Sequence, residues 1–272
     1  MTNNETSGYV PEHTFVVMAY GNSPFLPECL DSLLCQTVRG EICIATSTPS
    51  GYLSEQAMRA GATLFVTGSG KGIAHDWNFA LRQAKTKYVT LAHQDDFYAP
   101  TYLEKCLAVT KQHPSALICF TDYSELVGSS VRTDSLLLAV KRYLLRFFMP
   151  FGRIKSQFWK KRMLSIGCPI AAPSVLYHLE NLGDFQFSPE YTVNMDWDAW
   201  SRMAMLNGDF LFVPEKLMQH RIHPDSATTR GLETMRRQEE DERIYRRFWP
   251  PFIARIMTCL YSASYRSNKI TK

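Results

Sequence analysis

Short apolar runs rich in β-branched and aromatic residues alternate with segments of helical spacing over the first 120 residues. Thr14 to Ala19, Glu41 to Ala45, Ala62 to Val66, Tyr88 to Ala92 and Ala116 to Phe120 predict strands. Leu26, Leu30, Leu33 and Leu34 lie on one helical face after the start signal Ser23-Pro24. Ile73, Trp77, Ala80, Leu81 and Ala84 repeat that spacing after Gly70 to Gly72, and a third helix follows Pro100. Such alternation predicts an α/β fold of Rossmann-like type, a mainly parallel central sheet flanked by helices, with ligands bound at the carboxyl ends of its strands.

After Phe120 the pattern changes. From Ser135 to Ile166 there are eight basic residues (Lys141, Arg142, Arg146, Arg153, Lys155, Lys160, Lys161, Arg162) and no acid, set among Leu136 to Leu138, Leu144, Leu145, Phe147, Phe148, Phe151, Phe158 and Trp159. This predicts helices with a basic face, outside the regular sheet. Alternation resumes with a strand over Pro173 to Tyr177, a helix over Asp196 to Leu206 ended by Gly208, and a strand over Phe210 to Val213. A last helix is predicted from about Leu232 to Phe248, ahead of Pro250-Pro251, and beyond Glu242 all charges are basic. The organisation expected is a polar tail over 1–13, an α/β domain over 14–230 and a basic helical extension over 231–272. Within the domain, a first half over 14–122 and a second over 167–230 flank the basic amphipathic insertion over 135–166.

Composition narrows the function classes. With 272 residues and 45% apolar content the chain can bury a sizeable core, and a net charge of +4 gives no footprint for nucleic-acid binding. Met1 to His13 lacks a basic-then-apolar leader, and no apolar run reaches the ~18 residues that span a bilayer, so a cytoplasmic protein is expected. The seven cysteines are scattered without a CxxC pair and read as reduced thiols.

Three polar clusters carry candidate chemistry. An apolar strand ends in His93, Gln94, Asp95 and Asp96; adjacent carboxylates there suit a hard divalent cation, while capping of the helix after Pro100 explains them equally well. Asp196-Trp-Asp198 opens a helix, where acids stabilise the N-terminus, or where one aspartate could take a proton from an acceptor hydroxyl. His220-Arg-Ile-His223 follows an apolar strand and offers donors for a diphosphate or ligands for a metal.

In order, these pieces resemble family 2 glycosyltransferases over roughly residues 14 to 228. Phe15-Val-Val-Met-Ala-Tyr-Gly-Asn22 and Phe25-Leu-Pro-Glu-Cys-Leu-Asp-Ser-Leu-Leu-Cys-Gln-Thr37 are similar to the family's first strand, its turn and its first helix. Gly72-Ile-Ala-His-Asp-Trp-Asn-Phe-Ala-Leu81 resembles the helix before the metal motif, and Gln94-Asp-Asp96 stands at the DxD position. Asp196-Trp-Asp-Ala-Trp-Ser-Arg202 resembles the helix that carries the base, and Arg221-Ile-His-Pro-Asp-Ser226 the "RxHxxS" ending. Two departures are informative. His93 replaces the first acid of the metal motif, and Ala-Thr-Ser-Thr-Pro-Ser50 follows Ile44 where relatives often have an acid that reads uridine.

The resemblance implies a GT-A fold with a C-terminal helical extension, and inverting transfer from a UDP- or dTDP-sugar to a hydroxyl of a glycan or lipid-linked acceptor, in bacterial surface-polysaccharide assembly. It implies Asp196 as catalytic base and Mn²⁺ or Mg²⁺ held by Asp95, Asp96 and His93. Ala19, Tyr20, Thr46 and Asp76 would line the nucleoside pocket, with Arg221 and His223 near the diphosphate. The basic aromatic segments suggest peripheral contact with an anionic membrane surface at the inner face of the plasma membrane. The competing reading is a nucleotide-sugar-binding module without transferase activity.

Overall fold

The structure is a computed structural model that describes residues 9–68, 72–223 and 236–265. Gly70 and Lys71, the loop after His223 through Ser226, and the start of the predicted tail helix at Leu232 lie outside the described residues.

The predicted strands are present, several of them longer than their apolar runs. They are β1 (Tyr9–Ala19), β2 (Arg39–Thr46), β3 (Thr63–Val66), β4 (Tyr88–His93), β5 (Phe97–Tyr98), β6 (Ala116–Val127), β7 (Ser130–Arg132), β8 (Arg153–Ile154), β9 (Val175–His178) and β10 (Asp209–Ile222). They form one sheet in the order β3-β2-β1-β4-β9-β6-β10-β5, with β7 on β6 and β8 on β10. The longest ladders, β1 with β2 and β4 and β6 with β10, are parallel, and antiparallel β9 joins the two parallel groups. Among the described residues, β1 begins at Tyr9, five residues ahead of the expected start. His13 on it is buried and bonds Thr90 Oγ1 at 2.9 Å, so the polar tail is shorter than expected.

Ten helices accompany the sheet in the described residues: α1 (Leu26–Leu34), α2 (Gly51–Ala60), α3 (Ile73–Gln83), α4 (Tyr102–Gln112), α5 (Leu136–Phe148), α6 (Gln157–Leu164), α7 (Leu179–Leu182), α8 (Met195–Met203), α9 (Arg236–Tyr245) and α10 (Pro251–Tyr265). Leu26, Leu30 and Leu33 of α1 are buried against the sheet, and truncating such a side chain costs about 2–5 kcal/mol. Apolar spacing does not reveal α2, because only Leu53, Gln56 and Ala57 face inward. Its marks are its caps: Ser50 Oγ accepts the Leu53 N–H at 3.2 Å, and Gly61 ends it at φ +61°.

The basic segment is helical as expected, with one correction. Arg153 and Ile154 form β8 and pair antiparallel with Leu211 and Phe210 of β10, so the segment does join the sheet. Gly152 makes this approach possible: at φ +67°, a Cβ there would lie 2.7 Å from the Phe212 carbonyl oxygen. Its eight cations are not one solvated face either. Lys160 is buried and donates to the Leu206 and Gly208 carbonyls, Arg142 binds Asp122, Arg153 binds Asp209, and Lys141 donates to Tyr123 Oη. All seven cysteines are free thiols.

Candidate active site at the carboxyl ends of the strands

The carboxyl ends of β1, β2 and β4 meet at one edge, and short polar side chains tie them together. Gln94 grips Tyr20 with both amide atoms, its Oε1 accepting the Tyr20 N–H and its Nε2 donating to the Tyr20 carbonyl, each at 3.1 Å. Gly21, at φ +63°, donates its N–H to Thr48 Oγ1 at 2.7 Å, and Thr46 Oγ1 accepts the Thr48 N–H at 3.0 Å. Ala19 and Thr46, paired across β1 and β2, are both buried beneath this turn, whereas the Tyr20 ring is exposed. Asp76 of α3 reaches the same place: its Oδ2 accepts from Ser47 Oγ at 3.1 Å, and its buried Oδ1 has no partner among the described residues. A carboxylate therefore reaches the end of β2 from α3 rather than from the β2 turn itself.

The turn after β4 separates its two aspartates. Asp96 points inward with a side chain only 1% exposed. Its Oδ1 accepts from His220 Nδ1 at 3.0 Å and from the Arg221 N–H at 2.9 Å, which fastens the turn to β10. Burial alone would raise the Asp96 carboxyl, but the charge and hydrogen bond of His220, with His93 and the Arg221 N–H, hold it below the usual range. Asp95 is 22% exposed; its Oδ1 accepts from Ser23 Oγ at 2.7 Å, and its Oδ2 lies 3.2 Å from His223 Nε2. His93 lies 3.9 Å from Asp96 Oδ2 and edge-on to Trp77, and burial pushes its imidazole below its ordinary value, towards the neutral form.

Arg221 is brought to this centre as expected, but its guanidinium is already engaged. Nη2 donates to Glu28 at 2.6 Å, Nε donates to the Asp95 carbonyl at 3.0 Å, and the plane covers the Phe25 ring at 4.4 Å. It shapes the Asp95 turn. Gln36 of the α1 motif works in a similar way, donating to the Ser32 and Ala99 carbonyls and accepting the Leu103 N–H, which stitches α1 to β5 and α4. Asn78 of α3 grips both backbone atoms of Phe187, at 2.9 and 2.7 Å.

Asp196 and Asp198 open α8 and also part ways. Asp198 is fully buried, and Arg202 and Arg247 donate to its two oxygens at 2.9 and 2.7 Å. Asp196 is partly exposed; its Oδ1 accepts the Trp197 N–H at 2.7 Å, and no other described side chain hydrogen-bonds its carboxylate. Burial raises the Asp196 carboxyl above its ordinary value, and the Trp197 N–H, Arg237 and Lys141 offset this only in part.

The start of α8 is held by a residue that sequence reasoning missed. Glu240 of α9 accepts the N–H groups of Thr192, Val193 and Asn194 and the Thr192 hydroxyl, at 2.8–2.9 Å. These donors precede the helix, so Glu240 satisfies backbone groups that would otherwise be orphaned. Asn194 Nδ2 adds a bond to Asp241 at 2.8 Å. The available signal was the acidic run Glu239 to Glu242, set between Arg236-Arg237 and a stretch whose charges are all basic. The C-terminal extension is therefore packed against the start of α8.

With this geometry in view, the comparisons with known proteins are decisive. The sequence model described as Glycosyl transferase family 2 matches residues 14–172, more than half of the chain. The chain belongs to glycosyl transferase family 2. It is 23% identical over 258 residues to an uncharacterized glycosyltransferase of Rickettsia typhi, covering 91% of this chain and 73% of that protein. S. aureus TarS (residues 1–349) superposes with TM-score 0.62 at 14% identity, over 95% of this chain and 72% of that one. The mannosyltransferase PcManGT of Pyrobaculum calidifontis, solved with GDP-Man and Mn²⁺, superposes with TM-score 0.61 at 16% identity, over 94% and 69%. The fold is thus the GT-A fold expected, and the protein is a glycosyltransferase.

Proposed function

We propose that this glycosyltransferase moves a sugar with inversion from a UDP- or dTDP-sugar to a hydroxyl of a glycan or lipid-linked acceptor. The observation that carries the reading is the state of Asp196. Its partner Asp198 is consumed by two arginines, while Asp196 keeps a carboxylate whose proton affinity burial has raised toward that of a useful general base. Asp196 accepts the proton of the acceptor hydroxyl. The freed oxygen lone pair forms the new bond to the anomeric carbon from the face opposite the diphosphate, as the bond to the phosphate oxygen breaks and its electrons leave with the nucleoside diphosphate.

Among the described residues no three His, Cys, Asp or Glu side chains converge on a metal. Asp95 and His223 nevertheless face each other with a carboxylate oxygen and an imidazole nitrogen, a donor set that suits Mn²⁺ or Mg²⁺ when substrate phosphates complete the shell. Bound there, the ion would neutralise charge on the diphosphate. Asp96 and His93 support this centre from behind, since Asp96 Oδ1 is spent on β10. TarS has been solved with UDP and with UDP-GlcNAc, and PcManGT with GDP-Man. For this chain, the free buried oxygen of Asp76 beside Ser47 favours a pyrimidine, whose imide N–H it could accept. The setting we propose is cell-surface polysaccharide assembly on the cytoplasmic side of the membrane. Among the described residues no helix is long and apolar enough to cross one.

The test is hydrolysis of UDP-, dTDP-, GDP- and CMP-sugars with Mn²⁺ by the wild type, Asp95→Ala and Asp196→Ala. Turnover of a UDP- or dTDP-sugar that Asp95→Ala abolishes is the expected outcome. Metal-dependent binding of a donor with no turnover, even with acceptor extracts supplied, would point to a binding module instead.

A further inference from the structure

Helix α5 presents two unlike faces. Inward, Leu138 and Leu145 are buried, Lys141 meets Tyr123, and Arg142 binds Asp122 and the Tyr123 carbonyl. Outward, Leu136, Val140, Tyr143 and Phe147 follow one another at helical spacing with 48–74% of their surfaces exposed. Phe158 and Trp159 of α6 are half exposed, and Phe151 between the helices is 95% exposed.

These side chains form one patch. Tyr143 stacks on Phe147 at 6.5 Å, Phe147 meets Phe148 at 5.0 Å, Phe148 meets Trp159 at 6.2 Å, and Trp159 meets Phe158 at 5.1 Å. Arg162 lies over both Phe158 and Trp249, which extends the patch toward the junction of α9 and α10. A continuous apolar surface of this extent marks an interaction site. The segment that carries these side chains is cationic: the sequence from 135 to 166 holds no acid, Arg146 and Lys155 are exposed and Lys161 is partly so, and among the described residues no carboxylate pairs with any of the three.

We propose that the outer face of α5 and α6 docks on an anionic lipid bilayer surface, with the aromatic ladder among the acyl–headgroup boundary and the three unpaired cations against headgroup phosphates. Aromatic side chains ringed by Lys and Arg suit that boundary. A two-fold contact with a second copy would set the same cations against each other, which the charge pattern disfavours. Docking would bring an acceptor carried on a lipid phosphate to the surface of the enzyme, and this part rests on the transferase reading above.

The test is flotation of the full chain with vesicles of phosphatidylcholine alone and of phosphatidylcholine mixed with phosphatidylglycerol. We expect binding to the anionic vesicles at low salt, release at high salt and no binding to the neutral ones. Replacing the three cations (R146Q, K155Q, K161Q) should weaken partitioning on the order of a hundredfold, and F147S with W159S should abolish it. Hydrolysis of a soluble donor by these variants should match the wild type, so a failure of docking is separable from a failure of the transferase reading. Wild type that stays soluble with anionic vesicles at low salt, or variants that float as the wild type does, would overturn the proposal. So would a wild-type dimer, seen by light scattering, that F147S with W159S dissociates.

Discussion

The two aspartate pairs, Asp95 with Asp96 and Asp196 with Asp198, look equivalent in the sequence, and the fold treats them alike in one respect. In each pair one carboxylate is withdrawn into the scaffold: Asp96 holds β10 through His220 and the Arg221 N–H, and Asp198 holds Arg202 and Arg247. The other, Asp95 or Asp196, stays partly exposed. The pairs differ in what tunes the accessible member. Asp95 is set among hydrogen-bonding groups, Ser23 and His223, as a ligand for a cation would be. Asp196 has few partners and a raised proton affinity, as a base requires. Clustered acids are thus divided between those spent on anchoring and those left partly exposed, and the reading proposed above gives the chemistry to the second kind.

The largest expected effect follows from the accessible member of the second pair. Asp196→Asn should lower transfer on the order of a thousandfold, as loss of a general base does, with an unchanged melting temperature. Because burial raises the Asp196 carboxyl, wild-type kcat/KM should fall with decreasing pH through a value above the ordinary carboxylate range, the base being protonated below it; the variant's residual rate should lack this limb. Activity retained by Asp196→Asn would break the comparison.

Next in size, Asp95→Asn should reduce Mn²⁺-dependent donor turnover by about a hundredfold, since even outer-shell losses at metal sites cost about 10- to 100-fold. Chelation should reduce the wild type similarly and the variant little further. Calorimetry with the donor, with and without Mn²⁺, separates lost metal dependence from lost folding.

The withdrawn partner should behave differently. Asp198→Ala leaves Arg202 and Arg247 unpaired, yet these are 38% and 35% exposed, so water recovers part of the loss. We expect destabilisation of about 2 kcal/mol by urea titration, with soluble-donor hydrolysis by the folded fraction preserved. A full catalytic loss without a stability change would reverse the roles assigned to Asp196 and Asp198.

The smallest effect sharpens the account of how Asp196 is held. The three backbone N–H groups and the Thr192 hydroxyl outweigh burial and keep Glu240 below the usual glutamate range. A depressed carboxyl stabilises the fold above its unfolded value, about 4.3, and that contribution is lost as pH falls through the folded value. Glu240→Gln should therefore cost about 1 kcal/mol at neutral pH, and less as the medium is acidified. Thermal melts at neutral and acidic pH would show the two proteins converging.

Much of this was legible from residues alone. Leucine spacing marked α1, the strand ending at His93 marked the turn that carries Asp95 and Asp96, and the aspartates ahead of Trp197 and Trp200 marked α8. The separation of Asp95 from Asp96 was not legible, because it depends on His220 and Arg221, which follow about 125 residues later and meet the turn only through β10. Arg221 read as a diphosphate ligand, but Glu28 and Phe25 claim its guanidinium from α1 and its N-cap. Asp76 was placed in the nucleoside pocket, yet its free oxygen beside Ser47 emerged only when α3 was laid across the end of β2.

The sequence by itself determined the alternation of strands and helices, the family motifs and the residue types available for chemistry, because these depend on periodicity and near-neighbour spacing. Tertiary structure decided which acid of each pair anchors and which stays partly exposed, which cations of the basic segment turn inward, and that Glu240 braces α8. Each of these is a pairing of polar groups from distant parts of the chain. Local pattern carries no record of such pairings, and burial enforces them, since a charge removed from water must find its partner wherever the fold supplies one.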